Sequence, residues 1–364
     1  MGNFETNTKI VQVAGAFGIS NVKNIEVCHI GHINGTFFAD SDAGRIVVQR
    51  INKKIFTDPP ALMDNIAAVT SHIRAKMESE GLPENEIARS VLRFSQTGEG
   101  KHYHIDNDGE YCRICGFINN TRTYNSGTPE LLVQSGESFG RFQRYLSDFP
   151  ARTLSETIPN FHHTAKRFEH FVQSVKDDAF GRAAKCRDLI DVVLSHEADT
   201  RRIVDLLESG ELPLRVTHND TKINNVLIDL DTGKGVCVVD LDTVMPSTLL
   251  YDFGDAIRSG ASAVPEGSLD FDGFVVREDS YKAFYEGFIR GAGGSLTETE
   301  LENLPLGSFM MTFEVGMRFL DDYLSGDTYF HTDYEGQNLD RSRGQLLLAE
   351  DIMRKRDRLL TIAR

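Results

Sequence analysis

The sequence predicts an α+β fold in two lobes, a small β-rich lobe at residues 1–118 and a larger, mainly helical lobe at residues 119–364. In the first lobe, short runs rich in β-branched and aromatic residues are bounded by Gly and Asp, which is typical of strands. From residue 130 onward, apolar residues recur at three- and four-residue steps, which indicates amphipathic helices. The polar, turn-rich segment NNTRTYNSGTPE separates the two patterns, so we place the boundary near residue 118.

The first lobe begins with three predicted strands between residues 22 and 56. The runs VKNIEVCHI, GTFFAD and RIVVQRI, with the turn SDAG between the last two, predict an antiparallel meander. Apolar residues at helical spacing then predict a helix within residues 60–81; they are Leu62, Ile66, Val69, Ile73 and Met77. Further strand-like runs follow at ARSVLRFS, GKHYHID and EYCRICGFI.

The second lobe is predicted to be helical except for one inserted hairpin. Helical periodicity covers LLVQSGESFGRFQRYLSDF, RFEHFVQSVKDDAFG and CRDLIDVVLSHEADTRRIVDLLESG. After these helical segments, the β-rich runs NVLIDL and VCVVDL flank a turn that contains two glycines. A small β-rich lobe followed by a larger helical lobe leaves a cleft, which is a usual place for a ligand.

Charge and hydropathy exclude two classes of partner. The 39 Lys and Arg residues against 54 Asp and Glu residues give a net charge of −15, which repels phosphate backbones and anionic membrane surfaces. No apolar run is long enough for a membrane span, and the start MGNFETNTK lacks the pattern of a signal peptide. We therefore expect a cytoplasmic protein with no nucleic-acid partner and no membrane association; no particular oligomeric state is predicted.

Five cysteines, an odd number, indicate reduced thiols. Cys112 and Cys115 form a C-x-x-C pair, but a structural zinc site needs a second pair of ligands, and the sequence shows none. In a strand the two thiols would also point to opposite faces. We expect neither zinc nor a disulfide at this pair.

The strongest chemical signal is the pattern H-x-D-x-x-x-x-N, formed by His218, Asp220 and Asn225 and followed by Asp240 fifteen positions later. Phosphoryl transfer from ATP uses a carboxylate that accepts the hydroxyl proton, and an amide oxygen and a second carboxylate that hold Mg²⁺. One loop can present the first two groups to the same ligand. The hairpin that follows would return the chain beside them and deliver Asp240.

Three segments carry a resemblance to a known family: VTHNDTKINNVL, VVDLDTVMPSTLLYDFGDAIR and GMRFLDDYLSGDTYF. They resemble the aminoglycoside-phosphotransferase and choline-kinase-like enzymes, relatives of protein kinases that phosphorylate small molecules. Within that family they look most like the N-acetylhexosamine 1-kinases. The resemblance implies a bilobal protein-kinase-like fold, ATP as co-substrate, Mg²⁺ as cofactor and a small neutral sugar as acceptor.

The resemblance also implies roles for the motif residues. Asp220 would be the catalytic base, and Asn225 and Asp240 would be the Mg²⁺ ligands. Asn and Asp are also common turn formers, and for His218 a structural role is favoured, in which it braces the loop. Asp242 shares the face of Asp240 if the strand continues, so it is either a metal ligand or a group that supports the ligands.

The triplet Asp252-Phe253-Gly254 matches the metal-binding D-F-G of protein kinases, yet we interpret it differently. It lies 32 positions after Asp220, too far for the hairpin that should deliver the metal ligand. The text YDFGDAIRSG indicates the start of a helix. Asp252 is therefore predicted to be a helix N-cap or a buried carboxylate that stiffens the catalytic loop.

The family places its phosphate-covering turn between the first two strands, at Gly31-His32-Ile33-Asn34-Gly35-Thr36 in this chain. Backbone N–H groups in such a turn can surround phosphate oxygens, and glycine permits their close approach. The predicted nucleotide-binding residues are Gly31, His32, Asn34, Gly35, Thr36 and Arg50. Where protein kinases have a lysine on the next strand, this chain offers Gln49 and Arg50, and only Arg50 is charged; which of them faces the cleft is left open.

Residues 310–324 are apolar nearly all round, which predicts a buried helix with one charged stripe. Glu314, Arg318 and Asp322 form that stripe at i, i+4 and i+8. It either pairs within itself or faces a polar ligand. Arg318, Asp322 and the downstream Tyr329 are the predicted substrate contacts.

Together these signals predict an ATP- and Mg²⁺-dependent kinase that phosphorylates the anomeric hydroxyl of an N-acetylhexosamine such as GlcNAc or GalNAc. Two alternatives stand beside it. One is a kinase for another alcohol, such as an aminoglycoside, an amino alcohol or a thiosugar. The other is a catalytically silent nucleotide-binding module, against which the intact Asp220, Asn225 and Asp240 argue.

Overall fold

The computed structural model describes residues 2–28 and 33–362. An antiparallel five-stranded sheet forms the first lobe, and its strands are β1 (Lys23–Cys28), β2 (Gly35–Ser41), β3 (Gly44–Arg50), β4 (His104–Ile105) and β5 (Tyr111–Gly116). Their spatial order is β1-β2-β3-β5-β4. The predicted meander of the first three strands is therefore confirmed.

The two faces of this sheet are covered by different helices. The N-terminal helix α1 (Gly2–Ala16), which was not predicted, packs against the face that carries Ile46, Val48 and Cys112. The other face packs with α2 (Pro59–Ser79), which begins at an Asp58 N-cap. All five apolar positions predicted for this helix are buried. The alternation of strand side chains thus divides the first lobe into two apolar cores.

The run ARSVLRFS is not a strand, and that prediction was wrong. Its first residues end the short helix α3 (Glu84–Ser90), and only Phe94 pairs with the sheet, through a single bridge to Cys115. Acidic residues in the first turn and Arg89 in the last turn favour this helix. A short run of mixed residues does not reveal that preference by periodicity.

Two small sheets and ten helices make up the described part of the second lobe. The strands are β6 (Thr121–Arg122), β7 (Arg215–Thr217), β8 (Val226–Asp229), β9 (Gly235–Val238) and β10 (Met245–Ser247). The helices are α4 (Pro129–Tyr145), α5 (Thr164–Asp177), α6 (Arg187–Ser195), α7 (Arg202–Glu208), α8 (Leu249–Gly260), α9 (Glu278–Ala292), α10 (Glu298–Glu302), α11 (Leu304–Leu324), α12 (Gln337–Arg354) and α13 (Arg356–Ile362). No described helix has the length and apolar character needed to cross a membrane.

Helices α4 and α9 approach each other closely along paired glycines. A Cβ atom added to Gly136 would lie 2.2 Å from the carbonyl oxygen of Phe284, and one added to Gly287 would lie 2.1 Å from that of Val133. Only glycine permits this distance between the helix backbones. The pair supports the hairpin of β8 and β9, because β9 packs on α4.

The chain passes from one lobe to the other at residues 117–120. Before this segment β5 belongs to the first sheet, and after it β6 pairs with β8 of the second lobe. The predicted boundary near residue 118 falls between these two strands. The lobes also share apolar packing, because the core around α2 includes Val216, Leu241 and Val244 from the segments that flank the H-x-D-x-x-x-x-N motif.

Candidate active site

Asp220 lies in the loop that joins β7 to β8. The preceding residue, Asn219, adopts the left-handed conformation with φ 62°, which Asn tolerates better than most residues. Two consecutive backbone N–H groups of this loop, from His218 and Asn219, donate to the Asp252 carboxylate at 2.9 and 2.7 Å. A side chain of α8 therefore holds the backbone of this loop in place.

The Asp252 carboxylate is buried, and hydrogen bonds to the protein use both of its oxygens. Only 2 % of the residue is exposed, and Gln143 also donates to its carboxylate at 2.9 Å. Burial raises the pKa of Asp252 despite these hydrogen bonds. The prediction of a buried carboxylate that stiffens the catalytic loop is confirmed, whereas the N-cap alternative was wrong because Thr248 caps α8. The carboxylate of the D-F-G triplet is thus buried and hydrogen-bonded, so it is not available as a metal ligand.

His218 also supports the loop. It is fully buried, and its Nε2 lies 2.9 Å from the carbonyl oxygen of Val239, next to Asp240. Its ring packs edge-on against Phe139 and Phe142. The favoured structural role of His218 is therefore confirmed, and the residue links the catalytic loop to the end of β9.

The Asp220 carboxylate lies between a cation and an amide. Lys222 Nζ is 2.8 Å from Oδ1, and Asn225 Nδ2 donates to Oδ2 at 3.0 Å. Burial alone would raise the pKa of Asp220, but Lys222 first, and then His218 and Asn225, lower it below its ordinary value. The carboxylate is ionised at neutral pH and held in one orientation.

Lys222 was missed by the sequence analysis. Its backbone is extended, with φ −63° and ψ 151°, so residues 220 and 222 point to the same side. Asp220 raises the pKa of Lys222, which keeps the ammonium charged. The two-residue spacing within an extended loop was the signal that could have identified it.

Asp240 follows β9 and is brought beside Asn225 by the hairpin. The N–H of Val239 donates to the Asn225 carbonyl at 2.9 Å, and Asp240 itself is left-handed with φ 60°. Although the residue is exposed, the protein around it displaces part of the water from its carboxylate, and the nearby carboxylates of Asp242 and Asp220 repel it. These effects raise the pKa of Asp240 to about 6. None of the described residues donates a hydrogen bond to it.

Asn225 and Asp240 fit a magnesium ion. Asn225 uses Nδ2 on Asp220, so its Oδ1 remains as an acceptor, and Asp240 offers an unpaired carboxylate in a region of excess negative charge. Within residues 2–28 and 33–362 no group of three His, Cys, Asp or Glu residues could hold a metal alone. Mg²⁺ usually takes one or two protein oxygens and completes its shell with phosphates and water, which matches this pair.

Asp242 forms a buried ion pair with Arg113 of β5. Arg113 Nη1 is 2.5 Å from Asp242 Oδ1, and the two side chains are 2 % and 4 % exposed. The other oxygen of Asp242 accepts from Asn34 Nδ2 at 2.5 Å. Of the two alternatives for Asp242, these contacts favour the supporting role. Arg113 was not identified from the sequence.

The predicted phosphate turn is described in part. Gly31 and His32 lie outside the described residues. Asn34 is held at both ends, because its Oδ1 also accepts the N–H of Asn52 at 3.0 Å. Thr36 accepts a hydrogen bond from Gln49 at 3.2 Å. Asn34 and Thr36 thus border the same side of the sheet as Asp242, whereas Gly35 is turned toward Arg50 on the other side.

Gln49 and Arg50 lie on opposite faces of β3. Gln49 pairs with Arg113 across the sheet and faces the cleft. Arg50 is exposed and alternates with it onto the face that carries Val48, where its side chain passes Gly35. A contact between Arg50 and phosphate stays a prediction, and the structure brings Arg50 beside Gly35 of the phosphate turn but not beside Asp220, Asn225 or Asp240.

Comparison with known proteins agrees with this geometry. A family model described as "Phosphotransferase enzyme family" matches residues 24–298, about three quarters of the chain. The chain belongs to this phosphotransferase family. The chemistry of this family is the transfer of a phosphoryl group.

Solved structures share the fold of this family member at low sequence identity. An aminoglycoside phosphotransferase from Alicyclobacillus acidocaldarius superposes with a TM-score of 0.63 at 14 % identity, over 97 % of this chain and 95 % of that one. A choline/ethanolamine kinase family protein from Mesorhizobium loti gives 0.53 at 16 %, over 100 % and 99 %. A spectinomycin phosphotransferase solved with ADP and spectinomycin gives 0.53 at 12 %, over 95 % and 98 %. The bilobal protein-kinase-like fold is confirmed.

The charged stripe of α11 does not pair within itself. Glu314 bonds His162 Nδ1 at 2.8 Å and Thr164 Oγ1 at 2.6 Å. His162 Nε2 lies 3.3 Å from the carbonyl oxygen of Asn219. Glu314 therefore connects α11 to the catalytic loop, and no described carboxylate forms an ion pair with Arg318.

Asp322 is occupied by the loop that carries Tyr329. Its Oδ1 accepts the N–H groups of Thr328 and Tyr329, and its Oδ2 accepts those of Phe330 and the Asn338 side chain, all at 2.9 Å. It is only 6 % exposed. The contacts that the structure gives Asp322 thus position the loop, and a direct contact with substrate stays a prediction.

Arg318 lies among three aromatic rings. Its guanidinium carbon is 5.5 Å from the centre of Phe161 and 5.6 Å from those of Tyr329 and Phe330. Tyr329 is more than half exposed at this place. The structure brings Arg318 and Tyr329 together, next to the segment that contacts Asn219.

Cys112 and Cys115 point into the two different cores of the first lobe, as the alternation predicts. Burial raises the pKa of the Cys112 thiol to about 12 and that of Cys115 to about 11. Both are free thiols.

Proposed function

We propose that the protein transfers the γ-phosphoryl group of ATP, with Mg²⁺, to the anomeric hydroxyl of an N-acetylhexosamine and produces the hexosamine 1-phosphate. The observation that carries the transfer reaction is the arrangement at Asp220. A carboxylate held ionised by Lys222 and oriented by Asn225 stands beside the unpaired carboxylate of Asp240.

The chain's own residues have separate tasks in this mechanism. Asp220 accepts the proton of the acceptor hydroxyl and orients its oxygen for in-line attack. Asn225 Oδ1 and Asp240 would hold Mg²⁺, which neutralises charge on the phosphates when bound. Lys222 keeps Asp220 ionised. The spectinomycin phosphotransferase of similar fold was solved with ADP, which supports a nucleotide as phosphoryl donor.

The charge on the acceptor side supports a neutral substrate. Arg318 has no carboxylate partner among the described residues, and Arg167 lies close to it and binds the carbonyl oxygen of Phe161. Burial, followed by repulsion from Arg318, lowers the pKa of Arg167. Two neighbouring guanidinium groups would repel a polycationic aminoglycoside or a quaternary amine.

The rings around Arg318 support a sugar in particular. Aromatic faces pack against the apolar C–H surface of a pyranose, while a guanidinium donates hydrogen bonds to hydroxyl or N-acetyl oxygens. Tyr329 and Phe161 supply the faces and Arg318 supplies the donors. The resemblance of the segment GMRFLDDYLSGDTYF to the N-acetylhexosamine 1-kinases points to the same acceptor.

A coupled assay of ADP release tests the proposal. GlcNAc, GalNAc, their 1-O-methyl glycosides, aminoglycosides, amino alcohols and a thiosugar are compared at equal concentration. We expect turnover with a free N-acetylhexosamine and none with its methyl glycoside, because the glycoside lacks the anomeric hydroxyl. Turnover with only the other alcohols would show that the acceptor is not an N-acetylhexosamine. If no compound leads to ADP release, a silent nucleotide-binding module would be favoured.

A further inference from the structure

Strand β3 places no free positive charge on the cleft side of the first sheet, because Arg45, the one arginine of β3 on that side, is paired with Glu26 and Asp40. Gln49 lies on that side, and the neighbouring Arg50 lies on the other. Protein kinases place a phosphate-binding lysine on this strand. A nucleotide with several phosphates needs a compensating cation beside the metal ion, so another element has to provide it.

Arg113, on the adjacent strand β5, is placed to supply this positive charge. It is the direct cross-strand partner of Gln49, to which its Nε donates at 3.0 Å. Its Nη1 contacts Asp242 at 2.5 Å, and the side chain packs against Phe94. Its Nη2 donates to none of the residues that the structure describes. Nε and Nη1 are therefore held by protein partners, while Nη2 remains as a donor.

The position of this guanidinium is between the two halves of the phosphate site. Asp242, its partner, also binds Asn34 of the phosphate turn. Asp240, the predicted metal ligand, lies two residues before Asp242.

We propose that Arg113 binds the phosphates of the nucleotide and takes the place of a cation on β3. The inference rests on the proposed use of ATP. Gln49 and Asp242 are positioning residues, because they fix the plane of the guanidinium so that Nη2 points in one direction. The ion pair with Asp242 also keeps the charge in a place from which water is largely excluded.

The test compares the affinity for ADP with that for adenosine by calorimetry, in the presence of Mg²⁺ and without acceptor. Adenosine has no phosphate, so it reports whether the cleft is intact. Arg113→Met should raise the Kd for ADP at least tenfold and leave the Kd for adenosine within twofold. Arg50→Met removes the other cation predicted for the phosphates, and under this inference it should raise the Kd for ADP less than Arg113→Met does. Arg215→Met is the matched control, since it also removes a buried guanidinium from an ion pair, with Glu300; it should lower the Tm without changing the ratio of the two Kd values.

Three outcomes would overturn the inference. Equal weakening of ADP and adenosine by Arg113→Met would mean a purely structural role. A loss of ADP affinity in Arg50→Met but not in Arg113→Met would assign the phosphates to Arg50. A wild-type protein that binds neither ligand would overturn the proposed function and this inference with it. If Arg113→Met does not fold, Arg113→Met combined with Asp242→Asn removes both buried charges and allows the same comparison.

Discussion

Asn34 donates a hydrogen bond from Nδ2 to Oδ2 of Asp242 at 2.5 Å, across 208 positions of the sequence. The bond joins the phosphate turn of the first lobe to the segment that follows β9 in the second. Since Asp240 lies two residues before Asp242, this bond places the turn and the candidate metal ligand relative to each other.

The first prediction concerns this bond. Asn34→Ala should raise the KM for ATP several-fold and leave the KM for the acceptor unchanged, because the turn loses its attachment near the phosphates. Steady-state kinetics with each substrate varied in turn checks this. Asn24→Ala, which removes an exposed hydrogen bond to Asp40 in the same lobe, is the control and should leave both constants unchanged.

The second prediction concerns the catalytic base. Asp220→Asn keeps the volume but cannot accept a proton, so kcat should fall by roughly 10²- to 10⁴-fold while the far-UV spectrum and Tm stay close to wild type. Asp64→Asn, on the exposed side of α2, should have full activity. Near-normal turnover by Asp220→Asn would remove Asp220 from the reaction.

The third prediction separates support from chemistry. Asp252→Ala leaves two buried backbone N–H groups without an acceptor, so the free energy of unfolding should fall by about 2 kcal/mol or more. Urea denaturation measures it. Asp240→Ala should not lower the stability and should instead raise the Mg²⁺ concentration needed for activity. Magnesium dependence that follows Asp252 and not Asp240 would contradict the assignment.

The fourth prediction concerns pH. The pKa of Asp240 in the folded protein, about 6, exceeds the ordinary value of 3.8, so this group stabilises the metal-free fold at low pH and that contribution is lost as the pH rises through about 6. Asp240→Asn stays neutral at every pH. The variant should therefore match the wild type in Tm near pH 4 and exceed it above pH 6, as thermal melts across that range would reveal. A variant that is less stable than the wild type at pH 7 would show that the carboxylate is not strained.

The fifth prediction concerns the acceptor. Arg318→Lys keeps the charge but loses the planar fork, so the KM for the N-acetylhexosamine should rise tenfold or more, about 1.4 kcal/mol, with the KM for ATP unchanged. Because Arg318 has no described carboxylate partner, the Tm should change little. A lower Tm with an unchanged KM for the sugar would make Arg318 a structural residue.

Sequence reasoning located the centre of the site because that centre is local. His218 to Asp240 form one loop and one hairpin, so spacing along the chain translates directly into neighbourhood in space. The same reasoning excluded Asp252 as a metal ligand, since the hairpin could not deliver it. The roles of Asp220, Asn225 and Asp240 stay predictions that the geometry supports.

The parts that escaped prediction depend on distant contacts. The alternation of β5 assigns residue 113 to a face, but nothing in the sequence tells that this face meets Asp242 or that Arg50 points away. Helical spacing found the stripe of α11, yet not that the loop after α11 would use all of the Asp322 carboxylate. Such partners are set by tertiary packing between residues that are far apart in the sequence, so local sequence patterns do not reveal them.

The packing of α2 against Val216, Leu241 and Val244 has a consequence for how the chain folds. In a protein with two separate cores, either part can open while the other remains intact. Here the helix of the first lobe completes its apolar contacts with residues on both sides of the catalytic loop. We therefore expect that the first lobe does not fold by itself and that the catalytic loop becomes ordered in the same cooperative step as the sheet of the first lobe.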